Sequence, residues 1–201
     1  MPPVKKRQNG DYMKKKIRIS INAPVVLGFA LACLVVTLLG IITGGKTNGL
    51  FVTYRSSLTS PLTYVRLFTH VLGHQDMGHL VGNMAYILLL GPMLEEKYGA
   101  KKIVLIMVIT AVVTGLVNSL LFADVALCGA SGICFAFILL TSFTGFREGE
   151  IPLTFILVAV IYLGQQIWDG ITVRDNISNL SHILGGLVGA GAGYLLNKKS
   201  V

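Results

Sequence analysis

The sequence predicts an all-α integral membrane protein: a single bundle of six transmembrane helices with both termini cytoplasmic. Three observations predict it. Of 201 residues, 53% are hydrophobic and 13% charged, with a mean hydropathy of +0.72, whereas soluble chains carry about 25% charged residues and disordered ones combine low hydrophobicity with high charge. Charge-free intervals recur at the length of a membrane-crossing helix. The basic residues gather on one side of those intervals. Three cysteines are too few, and odd in number, for a disulfide-stapled secreted fold.

The intervals without Asp, Glu, Lys or Arg cover residues 19–45, 77–94, 103–123, 125–146, 151–168 and 176–197. Their lengths are 27, 18, 21, 22, 18 and 22 residues, and a helix crossing the hydrocarbon core needs roughly 20, with about 17 to 25 tolerated. Backbone groups in lipid must be satisfied within a helix or a closed barrel, and the alternation of barrel strands is absent from 103–113. Spans are therefore expected at about 21–45, 77–95, 103–123, 127–146, 151–170 and 177–197, forming one membrane domain over 19–201 behind a basic tail at 1–18. A basic stretch before an apolar one also describes a signal peptide. Here the apolar run continues past the nearest approach to a processing site, Ala30-Leu31-Ala32-Cys33, to Ile42, so the first span is expected to be retained.

Orientation follows from Lys and Arg in the short loops. With the N-terminus inside, 13 of the 17 basic residues lie inside, among them Lys97, Lys101, Lys102, Arg147, Lys198 and Lys199. Only Lys46, Arg55, Arg66 and Arg174 lie outside. The formal charge of +8 is thus a topology signal, and the basic tail suits anionic lipid rather than nucleic acid. A basic inner face on a short chain suits a bacterial cytoplasmic membrane.

Between the first two spans, residues 46–76 form the one long connection, and it contains Leu50, Phe51, Tyr54, Tyr64, Leu67 and Phe68. Loops of that length usually carry structure or function; this composition suits short elements in the outer interface.

Polar residues inside spans are functional candidates by default. Spans two, four and six all run from outside to inside. They open with His79 and Asn83, with Cys128-Gly129-Ala130-Ser131-Gly132, and with Ser181-His182. At 1.5 Å per residue these polar groups share a layer roughly 5–10 Å below the outer surface. Gly185, Gly189 and Gly193 recur every four residues on span six, a small-residue stripe that lets helix backbones approach.

A serine hydroxyl becomes a useful nucleophile when a base takes its proton, and neutral histidine is the usual base near pH 7. Ser131 and His182 share the layer, so a Ser-His dyad is the economical proposal. A tetrahedral intermediate also needs donors for its oxyanion. His79 and Asn83, at i and i+4, share a helix face, and the Ser131 N–H near a helix start adds a third donor. A metal is not expected: His70 and His74 have zinc-peptidase spacing, but Val71 stands where the glutamate belongs. Cys33, Cys128 and Cys134 are read as packing residues, Cys134 with little thiolate in its apolar helix. Trp168-Asp169 is read as gate or interface anchoring, with no catalytic role.

In order along the chain stand Val65-Arg66-Leu67-Phe68-Thr69-His70, His79 with Asn83-Met84, Gly91-x-x-x-Glu95-x-x-x-Gly99, Gly129-Ala130-Ser131-Gly132 and Ser181-His182-x-x-Gly185-Gly186. This set resembles the rhomboid intramembrane serine proteases over roughly residues 62–195. The resemblance implies a minimal six-helix rhomboid-like bundle that cleaves transmembrane segments of single-span or other membrane proteins near their outer ends, without a cofactor. It implies Ser131 as nucleophile, His182 as base, and His79, Asn83 and the Ser131 N–H as oxyanion donors. It further implies that Gly129 and Phe135 support the site, with Phe135 against the histidine, that Arg66 holds the first loop, and that Glu95 anchors the inner end of span two. Span five and the loop around Asp175 look like a lateral gate and cap. The family's Trp-Arg pair reads Val65-Arg66 here, which bears on how the first loop is seated. The alternative is a non-proteolytic rhomboid-like protein that binds membrane clients without cutting them. A small-molecule transporter is more distant, since no charged residue lies mid-span.

Overall fold

The computed structural model describes residues 20–144, 151–172 and 176–198. The basic tail at 1–18, Arg147, Arg174, Asp175 and Lys199 lie outside the described residues. Helix α1 (Pro24–Ile42) begins with proline at its first turn, where a missing N–H is harmless. The next two N–H groups, otherwise orphaned at a helix start, donate to Glu95: Val25 N to Oε1 at 3.1 Å and Val26 N to Oε2 at 3.0 Å. The start of α1 is therefore fastened to the far end of the helix that carries Glu95. Gly44 and Gly45, with φ of 61° and 86°, end α1, and the Gly45 N–H turns back to the Gly40 carbonyl at 2.8 Å.

The long connection holds a 3-10 turn at Asn48–Leu50, the helix α2 (Pro61–Thr69) and a second 3-10 turn at His70–Leu72. Arg66 ties it together: Nε donates to the Gly49 carbonyl at 2.7 Å, and the guanidinium lies 4.6 Å from the Tyr54 ring centroid, a cation–π contact. Val65, beside Arg66 on α2, is half exposed.

Asp76 caps α3 (Met77–Tyr98), its side chain accepting from the His79 N–H at 2.8 Å. Gly99, with φ of 86°, separates α3 from α4 (Ala100–Leu121), so these two long helices form a tight hairpin. After α5 (Ser131–Ser142) come α6 (Leu153–Thr172) and α7 (Asn176–Lys198).

Each charge-free interval holds one helix, but the fourth differs from expectation. The interval where a span is expected at 127–146 holds α5, a helix of 12 residues, about 18 Å long at 1.5 Å per residue. The cause lies upstream. Thr53 and Leu127 pair as an isolated antiparallel bridge, exchanging N–H···O bonds of 2.9 and 2.8 Å, and Gly129 has φ of +119°, outside the helical region. Residues 127–130 are spent on that extended segment, so the helix starts at Ser131. Among the described residues, α1, α3 and α4 are long and apolar enough to cross a membrane.

The core lies between α1, α3, α4 and α5, where Val26, Ile87, Leu94, Ile103, Ile133, Phe137 and Leu140 are fully buried. The outside is also apolar: Leu31, Leu89, Leu105 and Leu120 are mostly exposed, on a scale that marks an interaction surface rather than a water-facing one. The most extensive helix contact is between α5 and α7. A Cβ on Gly185 would sit 2.0 Å from the Gly132 carbonyl oxygen, and one on Gly189 2.0 Å from that of Ala136. Glycine is thus required for the two backbones to touch.

Candidate active site

Four elements bring the site together. On α3, Asp76 fixes the first turn, and His79 and Asn83 follow at i and i+4 on one face, His79 half-buried and Asn83 buried. The extended segment before α5 crosses that face. A Cβ on Gly129 would lie 2.7 Å from His79 Cε1 and Nε2 and 3.6 Å from Asn83 Nδ2, so the chain passes the His79 ring at a distance only glycine permits. Its positive φ adds a second reason for glycine.

That segment is clamped from behind. The Gly129 N–H donates to the His70 carbonyl at 3.0 Å, beyond the Thr53–Leu127 bridge, and Asn118 Nδ2 donates to the Val125 carbonyl at 3.1 Å. His70 itself is held by its ring: Nε2 donates to the Ala111 carbonyl at 3.0 Å, a carbonyl being an acceptor only. Burial, opposed only partly by that carbonyl, pushes the His70 pKa down from 6.5 to about 4, so this clamp is a neutral imidazole.

Ser131 is the first residue of α5. Its N–H precedes the helical ladder, whose first bond here runs from Cys134 N to the Ala130 carbonyl at 3.0 Å. His182 arrives on α7. The close backbone contact at Gly132 and Gly185 sets the register, and a Cβ on Gly132 would lie 3.5 Å from the Ser181 carbonyl. The Phe135 and His182 rings lie 4.3 Å apart between centroids, tilted by 43°. Ser131, His182, His79, Asn83, Phe135 and Cys134 line one cleft of about 530 Å³, together with Gln75, Gly78, Tyr86, Leu127 and Cys128.

The Asn83 amide is oriented within this wall. The Cys134 thiol lies 3.4 Å from the Asn83 backbone oxygen and 3.6 Å from Oδ1, while Nδ2 is buried and has no partner. His74 packs edge-on against His79, centroids 5.0 Å apart. Its Nδ1 donates to the Leu72 carbonyl at 3.2 Å. Burial first, and the neighbouring His79 second, lower the His74 pKa to about 4 despite that carbonyl, so His79 stacks on a neutral ring.

Two expected site residues lie elsewhere. Arg66 is in the long connection and Glu95 at the opposite end of α3, and neither lines the cleft. The Glu95 carboxylate accepts from the Val25 and Val26 N–H groups at the start of α1. The sequence reading missed Asp76, Thr53, Asn118 and the bond from Cys134 to Asn83. Asp76 left a signal, an acid three residues before His79 at a helix start, and so did Asn118, a polar residue inside an apolar interval. The others act through backbone carbonyls or a thiol and leave no pattern.

Residues 61–199 match the family described as "Rhomboid domain". Among curated proteins, the chain is 24% identical over 170 residues to "Rhomboid protease GlpG" of Yersinia pestis, covering 83% of this chain and 60% of that protein. It is 26% identical over 170 residues to the protein of the same name from Serratia proteamaculans, with the same coverage of 83% and 60%. The chain thus spans about 60% of the length of the curated relatives it matches.

Proposed function

The chain belongs to the rhomboid family, and on that premise we propose that it is an intramembrane serine endopeptidase in which Ser131 is the nucleophile and His182 the general base. The observation that carries the proposal is the single cleft lined by Ser131, His182, His79 and Asn83. His182 takes the Ser131 Oγ proton as Oγ attacks the scissile carbonyl. Negative charge moves to the carbonyl oxygen, which accepts from Asn83 Nδ2, the His79 ring N–H and the Ser131 backbone N–H. Collapse of this intermediate breaks the C–N bond, and His182 protonates the departing amine. Water, deprotonated by His182, then attacks the acyl-enzyme and restores Ser131. Gly129 supplies the close approach, and Phe135 sets the tilt of the His182 ring. Arg66 and Glu95 act at a distance, holding the long connection and α1.

The protein is integral to the membrane; α1, α3 and α4 suit that setting and the exposed apolar side chains face lipid. We assign it six spans within a 19–201 membrane domain, a basic tail at 1–18, both termini cytoplasmic, a bacterial cytoplasmic membrane as its location, and a cleft near the outer surface. Its substrates are transmembrane segments cut near their outer ends. The start of α5 at Ser131 supports the oxyanion assignment, because the Ser131 N–H there lies outside the helical ladder. Labelling of detergent-folded protein by a fluorophosphonate tests the dyad. Label is expected on the wild type and absent from Ser131→Ala and His182→Ala; label that survives both substitutions overturns it. Co-purification of an intact single-span substrate would point instead to the client-binding alternative.

A further inference from the structure

The Asn83 amide has two ends, and only one serves an oxyanion. Turned one way it offers an N–H donor, and turned the other it offers a carbonyl oxygen that repels negative charge. Helix α3 alone does not choose between them. Nδ2 is buried, unpartnered and 3.6 Å from the Cβ position at Gly129, two residues before Ser131. An unpaired buried donor is costly, so this orientation needs something on the other side to hold it. That side is occupied by Cys134 on the first turn of α5, with Sγ 3.6 Å from Oδ1 and 3.4 Å from the Asn83 backbone oxygen. A thiol carries one weakly donating S–H and a weakly accepting sulfur; with that proton shared between the Asn83 backbone oxygen and Oδ1, it favours an oxygen on this side over an NH2 group. Cys134 is buried, and its contact with Asn83 forms part of the cleft wall.

We propose that Cys134 is a positioning residue for the oxyanion donor Asn83: its thiol holds Oδ1, and so presents Nδ2 toward the position of the developing charge. The proposal rests on the protease reading above. It assigns the thiol no covalent or redox step; Sγ keeps its proton throughout. It also links two helices at the reacting centre, since α3 carries the donor, and α5 carries both the nucleophile and the group that aims the donor.

The test is a double-mutant cycle on cleavage of a single-span substrate in detergent, measured by steady-state kinetics. Cys134→Val removes the donor at nearly constant volume, and Cys134→Ala removes it without adding bulk should valine disturb folding. Each is expected to lower kcat about fivefold to tenfold, with KM and thermal stability nearly unchanged, because the loss falls on the transition state. In an Asn83→Ala background the same Cys134 substitution is expected to change kcat less than twofold. An equal kcat loss in both backgrounds, or a loss confined to KM, would assign Cys134 to packing and overturn the proposal. So would unchanged kcat in both single variants while cleavage stays dependent on Ser131. Cleavage that persists in Ser131→Ala overturns the protease reading itself, and the role of Cys134 with it.

Discussion

Gly129 has no side chain, yet it decides whether His79, Asn83 and Ser131 can meet. A methyl group there would lie 2.7 Å from the His79 ring. The donors beside it define what each residue is worth. Asn83→Ala is expected to lower kcat on the order of 10²-fold with KM little changed, as for loss of one oxyanion donor elsewhere, and steady-state kinetics on a peptide or protein substrate would check it. The buried histidines make a second prediction. Folding lowers the His70 pKa from 6.5 to about 4, so below pH 6.5 the unfolded chain binds a proton that the folded one refuses. Stability from this group is complete above pH 6.5 and falls as pH drops toward 4, by about 3 kcal/mol at 1.36 kcal/mol per unit. Thermal denaturation between pH 7.5 and 4 should therefore show a steeper decline for wild type than for His70→Gln; parallel declines would contradict it. At this scale the sequence was legible where a polar residue interrupts an apolar helix, as at His79, Asn83, Ser131 and His182. It was silent where the partner is a backbone carbonyl, as at His70 and Thr53, since any residue supplies one.

At the scale of elements, the contact that aligns the site is the one between α5 and α7. Gly185 and Gly189 stand where a Cβ would lie 2.0 Å from a backbone oxygen of α5, and backbone cannot yield as the end of a flexible side chain can. Gly185→Ala is expected to push the helices apart, costing about 1–3 kcal/mol as overpacking does, and to lower activity at least tenfold by shifting His182 from Ser131. Gly191, with nothing within 4 Å of its Cβ position, is the control. Gly191→Ala should leave activity unchanged and hold or raise the melting temperature, because alanine loses less chain entropy in a helix. The sequence predicted the stripe at Gly185, Gly189 and Gly193 from spacing alone. It did not predict the length of α5, because the apolar run through 125–130 reads the same whether its backbone is helical or extended. What separates the two is Gly129 with its positive φ and a bridge to Thr53, more than seventy residues upstream.

Over the whole molecule, the charge map and the packing express one constraint. Charged side chains are kept from the apolar intervals, and the large exposed residues of α1, α3 and α4 are hydrophobic. Two buried polar exceptions are held across helices: Glu95 by two N–H groups of α1, and Asn118, whose Nδ2 donates to the carbonyls of the clamp behind Gly129. Membership of the rhomboid family was legible because its motifs include polar residues set in apolar surroundings, such as His79, Asn83, Ser131 and His182. The seating of the long connection was not, since Arg66 reaches Gly49 and Tyr54 across the loop. The most direct test of the central claim is cleavage in liposomes. Wild-type protein and a single-span substrate would be co-reconstituted and the products sized by mass spectrometry. One cut near the outer end of the substrate helix is expected, lost in both Ser131→Ala and His182→Ala. Cleavage that persists in Ser131→Ala, or a substrate that stays bound and uncut by the wild type, would contradict it.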